Sequence, residues 1–357
     1  MPVAIVAVLF LGAFYLLLPS SAPPSLNRPA LLADLSGADL PEAKEQETDL
    51  PETYPPESYP PETGLPSETA SRNTYPCGDV CLYDLPHTPG TIFPVVKKTI
   101  DCPNIMSRLY LDKPATDWPP PKAPPADQLN LFTQNGEMPI STTYYFQQRY
   151  SGESALVSDW SVERVEGIRA QARKGERVGG YGLVDNQHIN NAMNQFPVSG
   201  KVGAVLGSES PWVESLLLNA GAKHIVTIEY GTINSRHPNI STMIPPQAAE
   251  KYLTGKLELF DFITTYSSLE HSGLGRYGDS LNPFGDLEAS AQAWCMLKPG
   301  GIFFLGLPSA ATSHIRWNAD INYGPERMRE MGAGFEQLGH VGGWSRQSMF
   351  ILRKPLR

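Results

Sequence analysis

The chain has 357 residues, enough for one large domain with attached segments, and its 41% hydrophobic content allows a substantial core. The net charge of −9 argues against non-specific binding to nucleic acid, which requires a basic surface. Its 34 prolines are well above the average of roughly 5% of residues, and many of them precede residue 126.

The first segment, 1–22, contains an uninterrupted apolar run, VAIVAVLFLGAFYLLL, at residues 3–18. These 16 residues are slightly fewer than the about 17–25 that a membrane-spanning helix needs. No Lys or Arg precedes the run, whereas a signal peptide begins with a basic region. We therefore expect an uncleaved signal anchor, with a cleaved signal peptide as the alternative.

The next segment, 23–76, is predicted to be a disordered stalk. Pro-Glu-Thr or Pro-Glu-Ser recurs every five residues, at 51–53, 56–58 and 61–63. Such a segment buries too little apolar surface to offset its chain entropy, and its prolines favour extended conformations. An anchor and a stalk before a globular domain are typical of a type II enzyme with a lumenal domain, in the Golgi or endoplasmic reticulum. A secreted protein is the alternative, and the sequon at Asn239 would be glycosylated only in the lumen.

Segment 77–165 is predicted to be an irregular extension, and it contains three of the four cysteines. In an oxidising compartment, we expect a disulfide among Cys77, Cys81 and Cys102. Cys295 lies on a predicted helix and is expected to pack as a small hydrophobic side chain. Because no further Cys or His completes a zinc ligand set around the first two cysteines, no metal site is expected.

Strands and helices alternate through the last segment, 166–357. Strands are predicted at 201–206, 224–228, 240–244, 260–265, 302–306, 334–339 and 348–352, and helices at 186–196, 211–221, 246–253 and 284–296. This alternation predicts an α/β class domain, with a Rossmann-like, mostly parallel sheet and helices on both faces. Ligands of such sheets bind at the carboxyl ends of the strands.

A glycine turn, Gly207-Ser208-Glu209, follows the first of these strands and is predicted to hold a cofactor next to a helix N-terminus. Glu229 ends the second strand, 229 − 207 = 22 positions later, which is where an acidic residue holds ribose hydroxyls in dinucleotide-binding folds. The alternatives are a plain strand-to-helix turn and a solvated glutamate, because the full G-x-G-x-x-G motif is absent.

The segment 260–279 combines a buried strand with a glycine-rich loop that is dense in chemically active side chains. Together with the glycine turn, Glu229 and the sequence LKPGG at 297–301, its strand resembles class I S-adenosylmethionine-dependent methyltransferases. The run SSLEHSGLGRYGD at 267–279, followed by the Asn-Pro and Gly-Asp pairs within 282–286, more closely resembles the domain of unknown function 268 family. That family is a nematode-type group of uncharacterised methyltransferase-like proteins.

The resemblance covers residues 180–350 and implies S-adenosylmethionine as the cofactor. The residues expected to bind it are Gly207, Ser208, Glu209, Glu229, Tyr230, Ser267 and Ser268. His271 is the predicted general base, because its unperturbed pKa of about 6.5 suits proton transfer at neutral pH. Glu270 is predicted to orient its ring. The residues expected to contact the substrate are Arg276, Tyr277, Asp279 and Asp286.

The implied function is methyl transfer to an oxygen of a glycan or small hydroxylated metabolite in the secretory pathway. The alternative is a non-catalytic glycan-binding or scaffold protein on a degenerate methyltransferase fold, since the first turn lacks the usual run of glycines. A structural alternative also exists for the loop itself. In that case Arg276 pairs with Asp279 or Asp286 and closes the sheet edge, because ion-pair networks resemble active sites in composition.

Overall fold

The structure is a computed structural model, which describes residues 100–111, 119–142, 144–147, 157–344 and 346–356. The predicted anchor and stalk, and Cys77 and Cys81, lie outside the described residues. Among the helices that are described, none is both long and apolar enough to cross a membrane.

The elements fall into an amino-terminal group and a main α/β group. The first group is α1 (Cys102–Leu111), α2 (Leu129–Phe132), β1 (Ile140–Thr142), β2 (Val157–Trp160) and α3 (Val162–Arg173). The second begins with α4 (Leu183–Gln195), β3 (Val202–Leu206), α5 (Trp212–Asn219), β4 (His224–Ile228), β5 (Thr232–Ser235), β6 (Ile240–Met243), α6 (Pro245–Leu253) and β7 (Phe260–Tyr266). It continues with α7 (Gly285–Met296), β8 (Leu297–Pro308), β9 (His314–Trp317), β10 (Asp320–Asn322), α8 (Pro325–Met331), β11 (Glu336–Val341) and β12 (Gln347–Arg353).

Seven of the described strands form one sheet in the order β11-β12-β8-β7-β3-β4-β6. The five strands from β8 to β6 are parallel, whereas β12 is antiparallel to both of its neighbours. Within this sheet, β3 is the first strand in sequence and lies near the centre. The next strands, β4 and β6, extend the sheet to one edge, and β7, β8, β12 and β11 form the other half. The predicted mixed α/β fold with a mostly parallel sheet is therefore confirmed. The border between β3 and β7 is the switch point, where sheets of this kind bind ligands.

Helices cover both faces of this sheet. α3, α4 and α5 pack on one face, where Val205 and Phe262 contribute to the core. α6, α7 and α8 pack on the other face, where Ala204 and Ile263 contribute. Because neighbouring residues of a strand point to opposite faces, strands covered on both sides are apolar throughout, as the VGAVL sequence of β3 is.

Strand β8 begins earlier than the sequence predicts. The predicted strand starts at residue 302, but residues 297–301 also belong to β8, where its pairing with β7 shifts register. Phe260 pairs with Leu297, whereas Phe262 already pairs with Ile302. The glycines of this stretch therefore allow a bulge inside the strand, which is a common use of glycine in sheets.

Among the described residues, a disulfide links Cys102 to Cys295. Within the expected group of Cys77, Cys81 and Cys102, pairing of Cys102 is therefore wrong, as is the expectation that Cys295 is only a packed hydrophobic side chain. A pair between Cys77 and Cys81 lies outside the described residues. The physical reason is the packing of α1 against α7, which brings the two Cα atoms within 5.5 Å although 193 positions separate them in the chain. Cysteine spacing in the sequence favours local pairs and contains no information about this helix contact.

Candidate functional site

A cleft with two adjoining lobes lies at the carboxyl ends of β3, β4 and β7. The apolar lobe has a volume of about 290 Å³ and extends between the strand ends and helices α6 and α7. Its apolar walls are Leu206, Ile228, Ala248, Leu269, Ala289 and Met296. The polar lobe has a volume of about 580 Å³. Its polar walls include Ser267, Glu270, Arg276, Arg316, Asp320 and Gln347.

Five residues line both lobes, and every one of them is a residue that the sequence predicts to be functional. These residues are Gly207, Glu229, Ser268, His271 and Tyr277. The sequence therefore located the centre of the cleft, even though the residues belong to three different strand ends. Tyr230 lines the apolar lobe, and Ser208 and Glu209 line the polar lobe.

The glycine turn after β3 lies against the loop after β7. Gly207 has a φ of +72°, and a Cβ at this position would lie 1.8 Å from Ser268 Oγ. Only glycine satisfies both the left-handed backbone and this close approach. The turn is also tied to β4, because the amide of Ser208 donates to Glu229 Oε2 at 2.7 Å.

The Glu229 carboxylate faces the cleft and already accepts hydrogen bonds from backbone amides. Its Oε1 accepts hydrogen bonds from the amides of Tyr230 at 2.8 Å and Gly231 at 3.3 Å, in addition to the bond to Oε2. Burial raises the pKa of Glu229, and these amides oppose that shift. A carboxylate has about four acceptor positions, so three backbone bonds leave capacity for a ligand hydroxyl.

A second buried acid, Glu214 on α5, supports the glycine turn from within the domain. It lies 3.2 Å from Ser208 Oγ and accepts a hydrogen bond from Thr227 Oγ1 at 2.8 Å. Burial raises its pKa to about 7. The sequence analysis gave Glu214 no role, because an acidic residue in the first turn of a helix is ordinary.

His271 is held by a backbone carbonyl. Its Nδ1 donates to the carbonyl oxygen of Ala319 at 2.7 Å, so the neutral ring keeps its free lone pair on Nε2. Burial lowers the pKa of His271 to about 4. Glu270 Oε1 lies 3.7 Å from Nε2, beyond hydrogen-bond distance. The prediction that Glu270 orients the imidazole is therefore wrong, and Ala319, which lies 48 positions downstream, does so instead.

Glu270 is one of the most buried polar residues in the cleft, with 1% of its surface exposed. Ser267 Oγ donates to its Oε1 at 2.5 Å, and Gln347 Nε2 donates to Ser267 Oγ at 3.0 Å. Its other oxygen, Oε2, has no hydrogen-bond partner among the described residues. Burial raises the pKa of Glu270 to about 8. Ser267 itself has a φ of +51°, a conformation that few non-glycine residues adopt and that is often found at functional sites.

The Arg276 guanidinium lies over two aromatic rings, 5.3 Å from the centre of Tyr145 and 5.1 Å from that of Tyr277. Its Nη1 donates to the Ala319 carbonyl at 3.1 Å. Among the described residues, no carboxylate forms an ion pair with it. The alternative in which Arg276 pairs with Asp279 or Asp286 is therefore wrong.

The two aspartates predicted to contact a substrate both have structural contacts within the protein. Asp279 closes its own loop, since its Oδ2 accepts hydrogen bonds from the amides of Gly273 at 2.8 Å and Gly275 at 3.3 Å, although it also lines the apolar lobe. Asp286 is fully buried and lines neither lobe. The substrate role predicted for Asp286 is wrong, because Arg327 of α8 donates to both of its oxygens, at 2.6 and 3.0 Å.

Several residues of the polar lobe are not predicted from the sequence. Three aromatic rings, Tyr181, Trp212 and Tyr266, contact one another with centroid distances of 5.3–5.5 Å and line this lobe. Tyr266 also donates to Asp185 Oδ1 at 2.6 Å. The position of Tyr266 directly after a predicted strand could have identified it, whereas no motif marks Tyr181. In the part of the chain that is described, no group of three His, Cys, Asp or Glu side chains could hold a metal ion.

The sheet order, with a cleft at its switch point, defines a doubly wound, mostly parallel α/β fold. Residues 200–356 match the model of the family described as Caenorhabditis protein of unknown function, DUF268. The resemblance to this family that the 267–279 motif indicates is therefore confirmed over residues 200–356. No curated protein matches the chain.

Solved structures similar to the chain include two methyltransferases. One is 1,6-didemethyltoxoflavin-N1-methyltransferase from Burkholderia thailandensis, with 10% identity, coverage of 54% of this chain and 87% of that chain, and a TM-score of 0.36. The other is N-methyltransferase NodS from Bradyrhizobium japonicum, with 15% identity, coverage of 48% and 94%, and a TM-score of 0.33. A protein from Lactococcus lactis described as a candidate hemolysin is similar at 14% identity, coverage of 48% and 88%, and a TM-score of 0.35. At these values the resemblance assigns neither an activity nor a substrate to this chain.

Proposed function

We propose that this protein is an S-adenosylmethionine-dependent O-methyltransferase that acts on a glycan or a small hydroxylated metabolite. The observation that best supports this function is the position of His271 between the two lobes. Its Nδ1–H is fixed on the Ala319 carbonyl, so Nε2 keeps a free lone pair that can accept a hydrogen bond, and then a proton, from a bound hydroxyl. Burial lowers the pKa of the ring to about 4, so the ring is neutral at pH 7 but is a weaker base than an exposed histidine. A binding or scaffold protein has no need for a base held in this way.

The apolar lobe fits the cofactor by the chemistry of its walls. Gly207 leaves space where a side chain would clash, and Glu229 keeps one acceptor position for a ribose hydroxyl. Leu206, Ile228 and Leu269 supply apolar walls for a purine ring. When bound there, S-adenosylmethionine would supply an electrophilic methyl group for the acceptor oxygen, with its sulfonium as the leaving group that becomes a neutral thioether. His271 Nε2 takes the proton of the acceptor hydroxyl, and the aromatic walls limit the access of water.

Two measurements on the full chain test this function. Calorimetry with S-adenosylhomocysteine should show binding to the wild type, and Glu229→Gln should weaken it by about 1–3 kcal/mol, because a charged acceptor is lost. In a methyl-transfer assay over a panel of glycans and metabolites, His271→Asn should lower turnover by about 10²–10⁴-fold with unchanged cofactor affinity, since the amide can still donate to Ala319.

Two outcomes would overturn the proposal. The cofactor assignment is excluded if no heat of binding appears at millimolar ligand. Wild-type protein that binds the cofactor and glycans but transfers no methyl group to any member of the panel would instead favour the non-catalytic alternative.

We also propose that the domain is lumenal in the secretory pathway, held by the anchor and stalk of residues 1–76. The Cys102–Cys295 disulfide supports this location, because disulfides persist in oxidising compartments and are rare in the cytosol. Asn239, in the sequon, is exposed on the surface. In sealed vesicles from expressing cells, the domain should resist added protease until detergent is present. Degradation without detergent would place it in the cytosol.

A further inference from the structure

We propose that the polar lobe binds a hydroxy acid, in which a carboxylate is bound by Arg276 and Glu270 and a neighbouring hydroxyl is the methyl acceptor. This inference rests on the proposed function and specifies its substrate class. A sugar acid, free or within a glycan, belongs to this class.

The first observation is a group of polar atoms that lack partners. Within the described residues, Glu270 Oε2, Arg276 Nε and Gln347 Oε1 are buried and form no hydrogen bond. All three residues line the polar lobe. Buried polar groups are almost always hydrogen-bonded in proteins, so three exceptions around one cavity indicate the place of a ligand.

The second observation is the charge at this site. Arg316, the other arginine of the polar lobe, pairs with Asp320 through two nitrogen atoms, and its charge is therefore balanced. Arg276 has no such partner among the described residues, and its Nη1 is held by a neutral carbonyl. A ligand carboxylate supplies the missing negative charge and matches the geometry of a guanidinium.

Glu270 determines which anion fits. An ionised Glu270 would repel a carboxylate, whereas a protonated Glu270 donates a hydrogen bond to it from Oε2. Burial raises the pKa of Glu270 to about 8, which favours the protonated form at neutral pH. The titratable or charged groups whose fields act on Glu270, or which lie next to it, are His271, Arg276, Asp320, Tyr181, Tyr266 and Tyr323.

The hydroxyl of the ligand has two acceptors available. Gln347 Oε1 is unpartnered within the described residues, and Nε2 of His271 has the free lone pair of its ring. A hydroxyl within reach of Nε2 is also the group from which the proposed reaction removes a proton. A simple carboxylic acid without a hydroxyl would leave these acceptors unsatisfied, which lowers affinity.

The experiment is calorimetry on the full chain with S-adenosylhomocysteine present and three probe pairs. Each pair compares a hydroxy acid with its neutral amide: lactate with lactamide, gluconate with gluconamide, and glucuronate with glucuronamide. We expect at least one acid to bind about tenfold or more tightly than its amide, a difference typical of a charge-assisted hydrogen bond. Arg276→Gln should remove this preference and Arg276→Lys should keep part of it. The control is Arg353→Gln, which breaks an exposed ion pair with Glu336 and should change nothing.

The pH profile separates a direct role of Glu270 from a structural one. Affinity for the preferred acid should fall by up to about tenfold per pH unit above pH 8, as Glu270 loses its proton. Glu270→Gln, whose amide still donates, should bind the acid at pH 7 and lose this pH dependence. The proposal is overturned if no acid of the panel binds better than its amide, or if Arg276→Gln keeps the preference while remaining folded in a thermal melt. Binding of S-adenosylhomocysteine alone, measured first, shows whether the cofactor assignment fails independently.

Discussion

Two buried acids of this domain, Asp286 and Glu270, have different surroundings. Both are almost completely buried. Asp286 receives two hydrogen bonds from Arg327 and a third from the Tyr323 hydroxyl at 3.0 Å. Glu270 interacts electrostatically with Arg276, but one of its carboxylate oxygens has no hydrogen-bond partner among the described residues.

The difference separates a structural ion pair from a binding site. A closed pair satisfies every charge with protein atoms and leaves nothing for a ligand, so its loss should appear in stability. An open pair leaves polar atoms facing a cavity, so its loss should appear in ligand binding. Composition alone does not distinguish the two, because each site contains an acid, an arginine and a tyrosine.

The largest stability effect is expected at the closed pair. Asp286→Asn removes the carboxylate that Arg327 contacts through two nitrogen atoms and leaves the buried guanidinium with Glu330, at 3.2 Å, as its remaining counter-charge; this should lower the free energy of unfolding by about 3–5 kcal/mol. Urea denaturation measures this change. Asp261→Asn serves as the control, because its pair with Lys298 is partly exposed and should be worth about 1 kcal/mol or less. Equal effects of the two substitutions would contradict the distinction.

A second large effect is expected from the disulfide at the other end of α7. The helix has Asp286 in its first turn and Cys295 near its last residue, so it is fixed at both ends. Replacing Cys102 and Cys295 together by serine should cost about 2–5 kcal/mol, because the bond closes a long loop in the unfolded chain. Thermal unfolding of the double variant measures this. An unchanged melting temperature would mean that the bond adds no constraint to this helix.

A smaller effect is expected where the two lobes meet. Gly207→Ala should cost about 1–2 kcal/mol for the left-handed backbone, and more for the contact with Ser268. The matched control is Gly200→Ala, where φ is +73° and no atom lies within 4 Å of the added Cβ. The excess cost at Gly207, measured by denaturation, isolates the close approach, and S-adenosylhomocysteine affinity should fall only in this variant. Equal costs would show that the loop after β7 simply moves away.

Much of the fold is predictable from the sequence, because the hydrophobic periodicity of an element and the glycines or prolines that end it are local features of the sequence. Strand β7 shows this, because its apolar run followed by glycines predicts a buried strand that ends in a loop. Gly207, Glu229 and His271 are predictable as site residues, since they all follow strands whose carboxyl ends share one sheet edge. The roles of Asp286, Cys295 and the Ala319 carbonyl are not predictable in this way, because their partners come from distant elements. Such partners are determined by the packing of helices and of loops that are distant in sequence, which no local pattern encodes.

The smallest expected effect is the contribution of Glu270 to the pH dependence of the unfolding free energy. It is also the most direct test of the difference between the two acids. The pKa of Glu270 in the folded state, about 8, lies above its ordinary value, so the folded protein binds this proton more tightly than the unfolded chain. Stability from this group is therefore fully present below the unfolded pKa and is lost as pH rises toward 8, by at most about 1.4 kcal/mol per pH unit.

Between pH 6.5 and 8, Glu270→Gln should show a shallower fall in unfolding free energy than the wild type. Glu214 and Glu330, whose pKa values are also raised, contribute the same slope to both proteins. His271 affects only lower pH, because burial depresses its pKa. Identical slopes would mean that Glu270 is ionised in the folded protein, and that it therefore has no proton to donate to a ligand carboxylate.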